Sequence, residues 1–372
     1  MAKGAYIGVG GVARKIKKGY IGVDGVARKI KKAYIGIGGV ARPCWGGGLE
    51  YYGTITALSA SRYNLAATTV GNYALFGGGS TGTLSSSSYY DTVDAYDNSL
   101  THSTPTALSF APSFPASTTI GNYALFAGGW KYGSGYFDTV NAYNQSLTRS
   151  TPTALSKARY KMGATTVGNY ALFGGGNSGS NVNIVDAYNQ SLTRSTPTAL
   201  SVSRSGLAAT TVGNYALFGG GEGLNADVDA YDKSLTRSIP AALSVGRRNI
   251  AATTVSNYAL LAGGNDNAMF AAAYDTVDTY DSSLTHSIAT ALQSARGGHA
   301  ATTVGDYALF GCGIGSGLAG TISANIEAYD KALTRSIPSG QPTFAGTTFA
   351  TTVGIYALFY VKNHSTFAYT AS

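Results

Sequence analysis

The apolar positions of this chain form two patterns, and both alternate with the period of two that marks strands rather than helices. The first occupies residues 5–45 and repeats every 14 residues: Tyr6-Ile-Gly-Val-Gly-Gly-Val-Ala-Arg-Lys-Ile-Lys-Lys18, again from Tyr20, and a shorter copy from Tyr34 to Trp45. Gly10-Gly11, Asp24-Gly25 and Gly38-Gly39 stand between β-branched residues, which is the signal for two-residue hairpin turns. Such a turn sets Val9 opposite Val12 and Ile7 opposite Arg14. One face of the first hairpin then carries Ile7, Val9, Val12 and Ile16. Ile21, Val23, Val26 and Ile30 repeat the set in the second hairpin, and Ile35 and Ile37 begin it in the third. A short sheet with one apolar face does not bury that face alone. The array is therefore expected to oligomerise or dock on a partner; a flexible basic arm is the plainer alternative.

The second pattern fills the rest of the chain. Asn72-Tyr-Ala-Leu-Phe-Gly-Gly-Gly79 recurs around Tyr123, Tyr170, Tyr215, Tyr258, Tyr307 and Tyr356, at spacings of 50, 47, 45, 43, 49 and 49 residues. A Thr-rich strand such as Ala66–Val70 precedes each copy. A Val-Asp-Ala-Tyr strand follows, and Leu147–Leu155 exemplifies a fourth. Four short strands per repeat is the arithmetic of a propeller blade, so seven copies predict an all-β, seven-bladed β-propeller. The seventh copy stops at Phe367-Ala-Tyr369 without a fourth strand, while Tyr51–Leu58 matches the fourth-strand pattern with no blade before it. Strand 51–58 is expected to complete the last blade and remove two sheet edges. Six blades and a frayed seventh is the competing count. The domains are then a hairpin array, 1–46, and a propeller, 47–372.

Composition narrows the class. Of 372 residues, 44% are hydrophobic, 12% are charged and 50 are Gly, too apolar for a disordered chain and too Gly-rich for a helical one. No run of 18 apolar residues is present, and no apolar leader follows Met1-Ala2-Lys3, so membrane insertion and unaided export are not expected. The net charge of +8 is local: residues 1–42 hold ten Lys/Arg against Asp24, leaving the remainder near neutral. The propeller therefore offers no argument for nucleic-acid binding. Lysines on short exposed strands also serve to prevent edge pairing. Cys44 and Cys312 are far apart and read as free thiols.

The repeat resembles the kelch family over roughly residues 50–372. The residues that carry the likeness are Arg296, Thr302-Thr303, the di-glycine Gly77-Gly78, and Tyr96-Asp97, Tyr231-Asp232 and Tyr329-Asp330. The Trp usual between the third and fourth strands is replaced by Ser-Leu-Thr. The resemblance implies a kelch-type propeller and leaves activity open, because the family is a scaffold with many functions.

Strands of a blade alternate in direction. First-to-second and third-to-fourth turns thus share one face of the disc, and second-to-third and blade-to-blade loops share the other. The former are short and monotonous. The latter vary, as in Ser80–Asp91, Trp130–Asp138, Asn177–Asn183, Asn265–Asp275 and Ile314–Asn325, and variable loops on a rigid scaffold are where recognition concentrates. Tyr89, Tyr90, Trp130, Tyr132, Tyr136 and Phe137 collect in the first two, suited to sugars or protein hot spots. A ring of arginines, Arg62, Arg159, Arg204, Arg247 or Arg248, and Arg296, has the chemistry to bind a carboxylate or phosphate near the axis. An Arg there also belongs to the kelch pattern, so a structural pairing is the favoured reading of these five.

No catalytic constellation is visible. His102, His286, His299 and His364 fall in different blades, and Asp94, Asp186, Asp229 and Asp278 recur at one blade position, as scaffold residues do. The Gly-rich runs lack the Lys-Ser/Thr and helix of a phosphate loop. No enzyme activity, metal or cofactor is expected. The hairpins of residues 5–45 also resemble those preceding the display domain in tail-fibre or receptor-binding proteins of bacteriophages of Gram-positive gut bacteria. That likeness implies a homo-oligomeric virion protein, attached to other tail proteins through residues 1–46, whose propeller binds a host cell-surface glycan or protein. The alternatives are a bacterial surface adhesin, a cytoplasmic kelch interaction module and, less favoured, a glycan-cleaving tail enzyme.

Overall fold

In a computed structural model of the chain, residues 49–82, 85–266, 272–316, 325–338, 348–361 and 366–371 are described in full, and the strands between Tyr6 and Trp45 by backbone pairing. Six four-stranded antiparallel sheets follow one another along the chain, and a seventh joins its two ends. Blade 1 shows the plan with strands Ala66–Val70, Tyr73–Gly77, Val93–Asp97 and His102–Ser103, paired in that order. The molecule is a seven-bladed β-propeller.

Each strand forms for a local reason. The first strand alternates buried and half-buried residues because its side chains point to opposite faces of the sheet, Ala66 and Val70 toward blade 2 and Ala67 toward blade 7. A tight turn through Gly71, whose φ of 52° favours a residue without Cβ, returns the chain into Tyr73–Gly77. That second strand is buried beyond its Tyr, since blades cover it on both sides. Phe76 meets Tyr96 edge-on at 6.0 Å, and the geometry repeats at Phe126–Tyr143, Phe173–Tyr188, Phe218–Tyr231 and Phe310–Tyr329. Gly77 ends its strand because a Cβ there would come within 2.7 Å of the Phe126 ring, which closes in from the next blade.

Seven apolar clusters result, each shared by two successive blades, so the core is a ring of interfaces rather than one centre. Threonines stitch the first strands together on the axial side. Thr68 bonds Thr119 at 3.0 Å, Thr118 bonds Thr166 at 3.0 Å, and the series runs on to Thr302 and Thr352 at 2.7 Å. Blade 7 is closed by Leu49–Ile55, antiparallel to Thr366–Ala371, with Tyr51 opposite Tyr369 and Thr54 opposite Phe367. The closing strand thus starts two residues before the expected 51–58 and stops at Ile55, after which Tyr96 of blade 1 takes the Thr56 carbonyl at 2.7 Å.

Residues 6–45 form three two-stranded hairpins. Val9 pairs with Val12 and Ile7 with Arg14, Val23 with Val26, and Ile37 with Val40, which is the register of two-residue connections. The expected apolar face (Ile7, Val9, Val12, Ile16, Ile21, Val23, Val26, Ile30, Ile35 and Ile37) concerns side chains outside the described residues. Among the described residues no helix is long and apolar enough to cross a membrane.

Candidate ligand-binding face

The five recurring arginines are a correction to the candidate site. Arg62, Arg159, Arg204, Arg247 and Arg296 are completely buried, and each meets one acid of its own blade: Asp94, Asp186, Asp229, Asp278 and Glu327, at 2.5–2.8 Å. The Arg62 Nε also donates to the Gly78 carbonyl at 2.7 Å, tying the loop between blades to the di-glycine. Burial pushes the Asp94 carboxyl up, but Arg62, the Ser59 amide and His102 outweigh it and hold the group below its usual range. With their guanidinium groups buried against an acid and carbonyls of the same blade, these arginines brace the loops and do not face a ligand. Blade 2 lacks both members of the pair: Pro112 stands where the Arg would be, and Asn141 replaces the acid.

What the brace supports is the residue after it. In blades 1, 3, 5 and 6 that residue forms a two-way backbone bridge to the loop beyond the glycines, as Tyr160 does with Asn177 and Arg248 with Asn265. Ser113 holds Trp130 in the same way in blade 2. Blade 2 also extends its middle strands to Tyr123–Lys131 and Gly135–Asn144, with a register shift between Ala127 and Gly129. This hairpin places Trp130 opposite Tyr136, and leaves Tyr132 52% and Tyr136 37% exposed.

An aromatic shelf crosses blades 1–3 as a result. Tyr89 meets Trp130 at 6.2 Å, Trp130 meets Tyr132 at 6.3 Å and Tyr160 at 6.4 Å, and Tyr136 stacks on Tyr160 at 5.7 Å. Phe114 ends the row, 5.9 Å from Tyr160. Lys131 sits over Tyr89 at 5.9 Å, and Lys161 lies 5.5 Å from both Phe114 and Tyr160. Tyr90 and Phe137 belong elsewhere: Tyr90 lies under Arg62, and Phe137, on the opposite side of its strand from Tyr136, packs on Phe110 at 4.5 Å.

The shelf leads to the axis. A cavity of about 620 Å³ opens there, with lining residues from all seven blades. Among the described residues its collar is one residue from each of blades 1–6 in left-handed backbone: Asn64, Phe114, Lys161, Gly206, Asn249 and Gly298, with φ between 53° and 63°. Backbone amides link several in sequence round the ring, Phe114 to Asn64, Gly206 to Lys161 and Gly298 to Asn249. Glu222 bridges the cations of the collar, 3.0 Å from Lys161 Nζ and 3.2 Å from Arg248 Nη1, and accepts from Ser205 at 2.9 Å. Although burial pushes the Glu222 carboxyl up, these three partners hold it below its usual range. Among the described residues no cluster of His, Cys, Asp or Glu has the makings of a metal site.

Tyr89, Trp130, Tyr132 and Tyr136 therefore converge, and Arg248, the alternative to Arg247 in the expected ring, stands at the axial cavity, while Tyr160, Phe114, Lys131, Lys161 and Glu222 join them unanticipated. One signal was available: Tyr160-Lys161 and Arg248-Asn249 follow the fixed Arg and vary from blade to blade. No protein-family model and no curated protein matches the chain. Among solved structures it is similar to that titled "Structure of YjhT", with a TM-score of 0.61 and 13% identity over 77% of this chain and 99% of that one. At that identity the likeness shows the fold alone, a β-propeller, and a fold does not by itself fix a function.

Proposed function

We propose that this chain is a non-enzymatic recognition protein of kelch type that binds a bacterial surface glycan on the shelf of blades 1–3. The observation that supports this is the run of Trp130, Tyr132, Tyr136 and Tyr160 on rigid blade ends. Flat rings with polar tips, held without rotamer freedom, are suited to stacking on sugar faces and donating at their edges. In this reading the chain is a virion tail protein that displays the propeller, with residues 1–46 attaching it to other tail proteins or to copies of itself. Hairpins that pair Val9 with Val12 and Val23 with Val26 beside their turns support that assembly role.

Binding of the labelled chain to intact Gram-positive cells, before and after wall polysaccharide is stripped, tests the proposal. Selective binding lost on stripping is the expected result. Trp130→Ala and Tyr136→Ala should each weaken it by at least about tenfold, as truncation of interface hot spots does. Tyr52→Ala, on the outer strand of blade 7, should leave it unchanged. Undiminished binding by both shelf variants would sink the assignment.

A second reading, a protein-interaction disc on a cell surface or in the cytoplasm, is favoured by the outer edge of blades 4–6. Ile239, Ile288 and Ile337 are 59%, 60% and 44% exposed there, where blades 1–3 carry Thr104, Thr151 and Thr196.

A further inference from the structure

We infer that the axial cavity is a second subsite, continuous with the shelf, and that it takes an acidic sugar unit, one bearing a carboxylate or a phosphate. The inference rests on the shelf being the glycan site. Phe114 belongs to both, since its ring closes the aromatic row and also lines the cavity, and Lys161 reaches over that ring from the collar. A chain lying along Tyr136 and Tyr160 therefore continues into the axis. A volume of about 620 Å³ falls in the range that encloses a small ligand.

The charge of the collar selects the unit that enters. Two cations, Lys161 and Arg248, share one carboxylate, Glu222, which leaves the group positive. All three are largely withdrawn from water, with side chains 30%, 14% and 23% exposed, so their field is less screened than that of surface lysines. Lysine carries three donors and arginine five, and the bonds to Glu222 leave donors on both for another anion. Lys131, over Tyr89, adds a cation at the far end of the shelf. A neutral sugar gains stacking from this surface, whereas an acidic one gains stacking and a partly desolvated ion pair.

Calorimetry on the full chain, with a neutral β-glucan hexasaccharide, an oligogalacturonate and a polyglycerol phosphate, tests the inference at low and high salt. Lys161→Asn and Arg248→Ser are the variants to use, because Asn64, Asn249, Ser113 and Ser205 show that the fold accepts those residues at those positions. At least one acidic probe should bind about tenfold or more tightly than the neutral one, and which of the two does so separates carboxylate from phosphate. Both variants and high salt should reduce that probe to the neutral level, while Trp130→Ala weakens all binding. Equal affinity for acidic and neutral probes, or unchanged acidic binding in both variants, would overturn the axial subsite and leave the shelf standing. Absence of binding by every probe, together with loss of cell binding, would remove the shelf and the subsite together.

Discussion

Leu65, Met162, Leu207 and Ile250 each lead into the first strand of their blades, but blade 6 has His299 at that position. The ring is buried, and among the described residues neither of its nitrogens has a hydrogen-bond partner. A neutral imidazole hides a donor and an acceptor there, and a charged one is worse, because burial and then Arg296 and Arg247 push its pKa well below the usual value. The sign of the pH effect follows. An unfolded His takes up its proton as pH falls through about 6.5, whereas the folded one stays neutral, so stability is full above that pH and declines below it. His299→Leu should raise stability by about 1–3 kcal/mol at pH 7 and flatten the decline between about pH 6.5 and 5. Urea unfolding across that range measures both effects; a variant no more stable than the parent would contradict this account. Residue identity was only half legible. The recurring Arg and its structural pairing were legible, but not the partner, an acid some 30 residues further along that only the fold sets beside it.

At the scale of the blade, the buried pair sets the terms. Breaking it leaves a charge in the core, so Asp229→Leu alone should cost about 3–5 kcal/mol. Arg204→Leu with Asp229→Leu should recover most of that loss, because no charge is then left buried and unpaired. A double-mutant cycle by thermal or denaturant unfolding reads the coupling; equal losses for single and double variants would show that Arg204 acts through the loop carbonyls alone. The strands themselves were legible, because alternation and Gly-bounded runs report local geometry. The extended hairpin of blade 2 was legible only as an aromatic-rich loop. Tyr160 and Phe114 were hidden among 27 tyrosines and 13 phenylalanines, half of which belong to the blade repeat.

For the whole molecule, seven copies at spacings of 43 to 50 residues were enough to count the blades, because a ring tolerates no partial unit without an open edge. What the repeat could not give is adjacency across the face: Tyr89, Trp130 and Tyr160 come from three blades and meet only because the ring sets their loops side by side. Closure is testable at this scale. A chain beginning at residue 57 lacks Leu49–Ile55 and should lose several kcal/mol relative to one beginning at 47, lowering Tm by roughly 10 °C. It should also self-associate through the bared edge of Thr366–Ala371 in gel filtration. An unchanged Tm and a monomer would mean the blade holds with three strands.

The closing strand has a mechanical side. Leu49, its first residue, pairs with Ala371 at the end of blade 7, and the hairpins lie just ahead of it in sequence. Tension arriving along the chain from the hairpins is applied to this strand one residue pair at a time, as a zip is opened, instead of across all its bonds at once. The outermost strand of the seventh blade is then the weakest link under load, and it can yield and re-close while the threonine-stitched inner ring and its shelf keep their shape.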